Sequence, residues 1–162
     1  MSQPTYILSF APKTPSRLSR FVDAETSGLA ALLERPPSFR HAGFDLRTLD
    51  SAHPADDGSI EVGTPDYKLL RLYQDGTLIA RLAADSSFLG WGREEAAFLK
   101  FPALNPVAVV EVHAAFVAVC AKLLPHFVTQ PATVTFRLGL YDTSIGTGRV
   151  FLTKWYELGI NN

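Results

Sequence analysis

The stretch from Asn105 to Leu124 constrains this chain more than any other. Asn105 is a good helix N-cap. Pro106 follows at the first helical position, where its missing N–H is one that no helix pairs anyway. Pro125 blocks continuation. Between those marks Val, Ala, Phe, Leu and Cys dominate, so the spacing predicts a helix apolar on nearly all sides and buried on nearly all sides. The rest of the chain must then supply the walls around it. The segment is long enough to cross a bilayer. Glu111, His113 and Lys122 lie within it, however, and a charge near a bilayer centre costs about 2.5–3.5 kcal/mol. The expectation is a core helix in a protein with no membrane partner.

The 162 residues fit a single globular domain, with residues 1–13 expected as either a short strand, Tyr6-Ile7-Leu8-Ser9-Phe10, or an arm docked on the body. Thr14-Pro15-Ser16 opens a second amphipathic helix, expected over about 15–35, on the same cap-then-proline logic. Leu18, Phe21, Val22, Leu29, Leu32 and Leu33 form its apolar stripe, with Glu25 interrupting it. Gly28 is a point where that helix can break. Ser38–Arg47 is expected as a loop, anchored by Phe39 and Phe44, that runs into a short strand. A polar turn over 53–58 then leads to a strand over 59–63.

The clearest β signal flanks Asp75-Gly76, with Tyr67–Tyr73 on one side and Thr77–Leu82 on the other. Asp-Gly between apolar runs marks a hairpin, because both residues tolerate positive φ. A two-residue turn places Tyr73 opposite Leu78 and Leu69 opposite Leu82, which gathers Tyr67, Leu69, Arg71, Tyr73, Leu78, Ala80 and Leu82 on one face. A helical turn is expected over 94–100. Ala132–Tyr141 alternates as a half-buried strand, with Val134, Phe136, Leu138 and Leu140 on one side. A loop over 142–148 and a closing strand over 149–156 complete the order. Strands joined by turns, with helices set apart, predict an α+β fold: a mainly antiparallel sheet packed on the long helix.

Charge and cysteine content narrow the functional classes. The net charge of −1 gives no overall attraction for nucleic acid, so such a partner would need a local patch. The single cysteine, Cys120, excludes an intramolecular disulfide and a multi-cysteine zinc site, and fits a cytoplasmic home. The N-terminus lacks the basic flank and apolar core of a signal peptide. His41, His53, His113 and His126 show no ligand spacing, so neither a metal nor a cofactor is expected. Ser144–Arg149 resembles a phosphate-cradling loop only faintly, lacking the following helix and the lysine. His113 and Cys120, seven residues apart, share a helix side. A hydrogen-bonded core histidine and an inert thiol are expected there.

Glu111 is the stranger residue, a carboxylate in an apolar helix that needs a partner. Arg71, Arg81 and Arg137 are candidates from the sheet. Glu111 and Lys122 could mark the one helix edge that reaches water. Phe39-Arg40-His41 and Trp91-Gly92-Arg93 each set an aromatic ring beside a cation, the pairing that stacks on bases or grips phosphates. Arg40, His41, Trp91, Arg93 and Glu111 are therefore the candidate binding residues.

Four stretches together resemble a known region. They are Pro37–Leu46, Tyr67–Leu70 with Asp75–Ile79, Phe88-Leu89-Gly90-Trp91-Gly92, and Leu104–Glu111 leading to a strand. The series, over roughly residues 37–141, is similar to the accessory region that follows the Schlafen-type, Alba-like DNA-binding domain in some bacterial proteins. The resemblance implies an accessory domain of a nucleic-acid-associated or regulatory protein. The DNA-binding domain itself has no counterpart here, and no functional residues carry over.

With no catalytic constellation in the sequence, the expected function is a non-catalytic binding or regulatory module acting through protein–protein contacts or self-association. The alternatives are nucleic-acid binding through local Arg and aromatic residues, and a small enzyme using Glu111 or His113.

Overall fold

The computed structural model describes residues 4–19, 21, 28–91 and 104–141. The fold is α+β. A six-stranded antiparallel sheet has the order β2-β3-β4-β5-β1-β6. Its strands are β1 (Thr5–Pro12), β2 (His53–Pro54), β3 (Ile60–Gly63), β4 (Lys68–Leu72), β5 (Leu78–Ala83) and β6 (Val134–Tyr141). Among the described residues two α-helices accompany it, α1 (Leu29–Glu34) and α2 (Pro106–Leu123), the latter extended by a 3₁₀ turn over Leu124–His126.

Thr5–Pro12 takes the strand alternative. β1 runs between β5 and β6, in register with both. Tyr6, Leu8 and Phe10 alternate inward and are buried, which is why this short apolar stretch takes a central place. One inner row reads Val62, Leu70, Ala80, Leu8 and Leu138 across five strands, and the next reads Ile60, Leu72, Leu78, Phe10 and Phe136. Directly opposed residues point to the same side of a sheet, so these rows build the face that meets the helices. Along β6 the row reaches water: Phe136 and Leu138 stay exposed although they share the inner face, so this strand is wetter than its alternation suggests.

The hairpin register differs by one residue from the two-residue turn. Leu72 opposes Leu78 and Lys68 opposes Leu82. Tyr73 and Thr77 close a three-residue loop, with the Tyr73 N–H donating to Thr77 O and Gly76 at φ +86. Asp-Gly serves that loop equally well, with glycine in the left-handed position. A one-residue slip exchanges the faces. Leu78, Ala80 and Leu82 therefore join Leu70 and Leu72 inside, while Leu69, Arg71, Ile79 and Arg81 turn outward.

Residues 14–19 do not start a helix. The Leu18 N–H donates to Gln74 O, and the Ser19 N–H donates to His126 O. Leu18 also bridges Phe127. These backbone groups tie the segment to the hairpin loop and to the end of α2, which a helix would prevent. Of the expected 15–35 helix, only Leu29–Glu34 is helical among the described residues, and it follows Gly28, which is left-handed at φ +80. The 38–50 segment is loop throughout, without the expected short strand. Phe44 packs against the core there, whereas Phe39 lies exposed. The expectations for a turn over 94–100, a loop over 142–148 and a strand over 149–156 lie outside the described residues.

Helix α2 forms where its caps predict. The Asn105 side chain accepts from the Val107 and Ala108 N–H groups. Length and apolar composition alone would let Pro106–His126 cross a membrane. In the fold, one side of it is buried, through Ala108, Glu111, Val112, Ala115, Phe116, Val119, Cys120 and Leu123. The opposite side leaves Val107, Val110 and Val117 about half exposed, so the helix is not walled on all sides. A sheet on one side only can cover one stripe of a helix, and here the other stripe kept its valines.

Candidate functional site

Glu111 lies on the buried side of α2, only 3% exposed. It does not mark a wet edge. Its carboxylate is satisfied by the loop before β2: Oε2 accepts from the Phe44 N–H at 2.7 Å, and Oε1 accepts from Arg40 Nε at 2.5 Å. The sheet arginines cannot serve. Arg71, Arg81 and Arg137 occupy outward positions, across the sheet from α2. Arg71 pairs there with Glu61 and Asp57. Gly43 lets the loop close onto the helix, because a Cβ at that position would run into Glu111 Oε2 and Arg40 Nε.

The loop so held forms one wall of a pocket of about 420 Å³. Arg40, Gly43, Phe44 and Asp45 come from the loop, Tyr67 and Lys68 from the start of β4, and Ser87, Phe88 and Trp91 from the turns after β5. The rings make a connected set. Phe44 lies 5.9 Å from Phe88 and 6.1 Å from Trp91, and Tyr67 lies 5.5 Å from Phe88, all tilted or edge-on, the arrangement that ring quadrupoles favour. Asn105 links this wall to α2. While its Oδ1 caps the helix, its Nδ2 donates to Trp91 O at 3.0 Å and its N–H donates to Leu89 O at 2.6 Å. The helix start thereby fixes the turn that presents the exposed Trp91 ring.

Lys68 is the unusual cation. Its side chain is 9% exposed, and Nζ sits 4.7 Å from the Phe88 ring centroid and 5.2 Å from that of Tyr67. Asp45 is its polar partner, through a backbone oxygen at 3.3 Å and Oδ1 at 3.6 Å. Burial pushes the Lys68 ammonium below its ordinary pKa, and Asp45 offsets part of that.

The pocket thus brings together Arg40 and Trp91, with Glu111 directly behind Arg40. His41 is exposed and lies away from the pocket lining. Arg93 lies outside the described residues. Phe44, Tyr67, Lys68 and Phe88 were not among the binding residues expected from sequence, where Phe44 was only a loop anchor and Tyr67 only a hairpin residue. A signal for Lys68 existed, since it alternates in step with Leu70 and Leu72, and a lysine in phase with core positions asks for an explanation.

The other candidate chemistry is inert. His113 Nδ1 lies 2.6 Å from Val109 O and Nε2 lies 3.2 Å from Tyr6 Oη, which accounts for both ring nitrogens. Burial pushes the Cys120 thiol up to about 12, so little thiolate forms near neutral pH. Among the described residues no group of three His, Cys, Asp or Glu side chains is placed to hold a metal ion. A scan of protein-family models and searches of curated proteins and of solved structures each returned no match.

Proposed function

We propose that this protein is a non-catalytic binding module for another protein, and that the pocket between Arg40, Lys68 and Trp91 receives a short segment of that partner. One observation carries the reading: four aromatic rings and two cations converge on one open pocket, and the buried Glu111 holds one of the cations in place. Exposed tryptophan and arginine are the side chains most often found at the centre of protein interfaces. The concave site sets four rings among four polar side chains, Arg40, Asp45, Lys68 and Ser87, which suits an anchoring side chain.

Affinity capture from source-cell extract tests this. The expected result is a partner retained by the wild-type chain and lost with Trp91→Ala, while Val110→Ala on the far side of α2 retains it. Identical capture by both variants would overturn the reading. The second reading, nucleic acid stacked on Trp91 beside Arg40, rests on the same ring and cation. It predicts a salt-sensitive gel shift with single-stranded DNA or RNA that Trp91→Ala abolishes.

A further inference from the structure

Arg40 and Lys68 line the pocket with donors to spare. Arg40 directs Nε at Glu111, which orients the guanidinium plane and leaves its two terminal nitrogens without a protein partner among the described residues. Its side chain is 55% exposed, so those nitrogens are accessible. Lys68 carries three donors, and Asp45 engages it only at 3.3 and 3.6 Å. A lysine whose side chain is nine-tenths buried, with so loose a partner, has donors left for a ligand. Around it stand the Tyr67 and Phe88 rings, with Phe44 and Trp91 beyond.

From these groups we infer that the pocket recognises a carboxylate carried on an aromatic body, with Arg40 and Lys68 donating to the carboxylate and the four rings holding the body. The inference rests on the pocket being the binding site proposed above. Three features select this class. The free edge of the Arg40 guanidinium matches two carboxylate oxygens side by side. The rings offer edge-to-face partners to an incoming ring. Arg40 and Lys68 are already balanced by Glu111 and Asp45, so a single added negative charge is tolerated where a doubly charged phosphate would be repelled. The carboxylate could belong to a partner chain ending in an aromatic residue or to a free aromatic acid. Glu111 acts as a positioning residue and touches no ligand.

The test is calorimetric titration at low salt with three probes: N-acetylphenylalanine, its amide N-acetylphenylalaninamide, and phenyl phosphate. The acid is expected to bind at least roughly tenfold tighter than the amide, as one charge-assisted hydrogen bond implies, and tighter than phenyl phosphate. Arg40→Gln and Lys68→Met should each bring acid and amide to within about threefold. Arg40 is exposed, so its variant keeps the fold. A peptide ending in Phe-Phe that binds tighter than N-acetylphenylalanine places the carboxylate on a partner chain, and equal affinity places it on a free acid; both outcomes support the assignment. Equal binding of acid and amide, abolished by Trp91→Ala, would overturn the carboxylate while leaving the pocket as the binding site. Tighter binding of phenyl phosphate, or no binding of any probe at millimolar concentration, would overturn the inference, and the capture experiment would still decide the pocket's role.

Discussion

Replacing Glu111 separates the two contacts that hold the 40–44 loop. In Glu111→Gln, the carboxamide offers one acceptor oxygen and one NH₂ group where two N–H donors converge. The oxygen can keep the 2.7 Å bond from the Phe44 N–H, and Arg40 Nε then faces a donor. A hydrogen bond to a charged group is worth about 1.5–3 kcal/mol, and the exposure of the Arg40 side chain discounts it, which leaves about 1–2 kcal/mol of lost stability. Glu111→Ala removes both acceptors. The Phe44 N–H then lacks a partner in a half-buried loop, at about 1–3 kcal/mol, and the total is about 3 kcal/mol. At about 2–4 °C per kcal/mol for a chain of this size, Tm falls by roughly 2–8 °C for Gln and 6–12 °C for Ala. Urea unfolding at constant m measures both, and an Arg40→Gln, Glu111→Gln double-mutant cycle should return a coupling of about 1 kcal/mol. An alanine variant within about 0.5 kcal/mol of wild type, the range of an ordinary surface substitution, would refute the reasoning.

Four further outcomes follow from the same geometry. Gly63→Ala should cost about 2 kcal/mol or more in urea unfolding, because φ is +96 and a Cβ would strike the Lys68 carbonyl. Lys68→Met should be as stable as wild type or more so at pH 7. The folded-state pKa of Lys68 is lowered, so the unfolded chain binds the proton more tightly; wild-type stability therefore rises with pH between the lowered value and 10.5, and the methionine variant should lose that rise in urea midpoints at pH 7 and pH 10. Asn105→Ala should cost about 1 kcal/mol through the lost helix cap and should also shift the Trp91 indole N–H resonance, since the same side chain holds the Trp91 carbonyl. Cys120 should react with a thiol reagent only at the rate of global unfolding, so that adding denaturant below the midpoint speeds labelling.

Elements fixed by local chemistry were legible in the sequence. The Asn105-Pro106 start of α2, the alternation of β6 and the strands around Asp75-Gly76 each follow from neighbours in the chain, and with them the α+β class. What depended on distant partners was not legible. Asp-Gly fits a two-residue and a three-residue loop alike, so the register, and with it the side on which Arg71 and Arg81 stand, was decided by which face the core covers. Thr14-Pro15 looks the same before a helix as before an extended segment; the acceptors at Gln74 and His126 made the choice. The site divides in the same way. Glu111 stood out as an acid in an apolar helix, and Arg40 and Trp91 as cation and ring beside opposite partners. That Arg40 answers Glu111 depends on Gly43 letting a loop close over a helix encoded much later in the chain.

The loop's attachment to the buried carboxylate is tested most directly by amide hydrogen exchange at Phe44. The wild-type Phe44 N–H, which donates to Glu111 Oε2, should exchange far more slowly than an exposed loop amide. In Glu111→Ala it should lose that protection while the Leu70 amide in β4 keeps its own. A Phe44 amide that exchanges freely in the wild type, or whose protection survives the loss of Glu111, would contradict the pocket's construction.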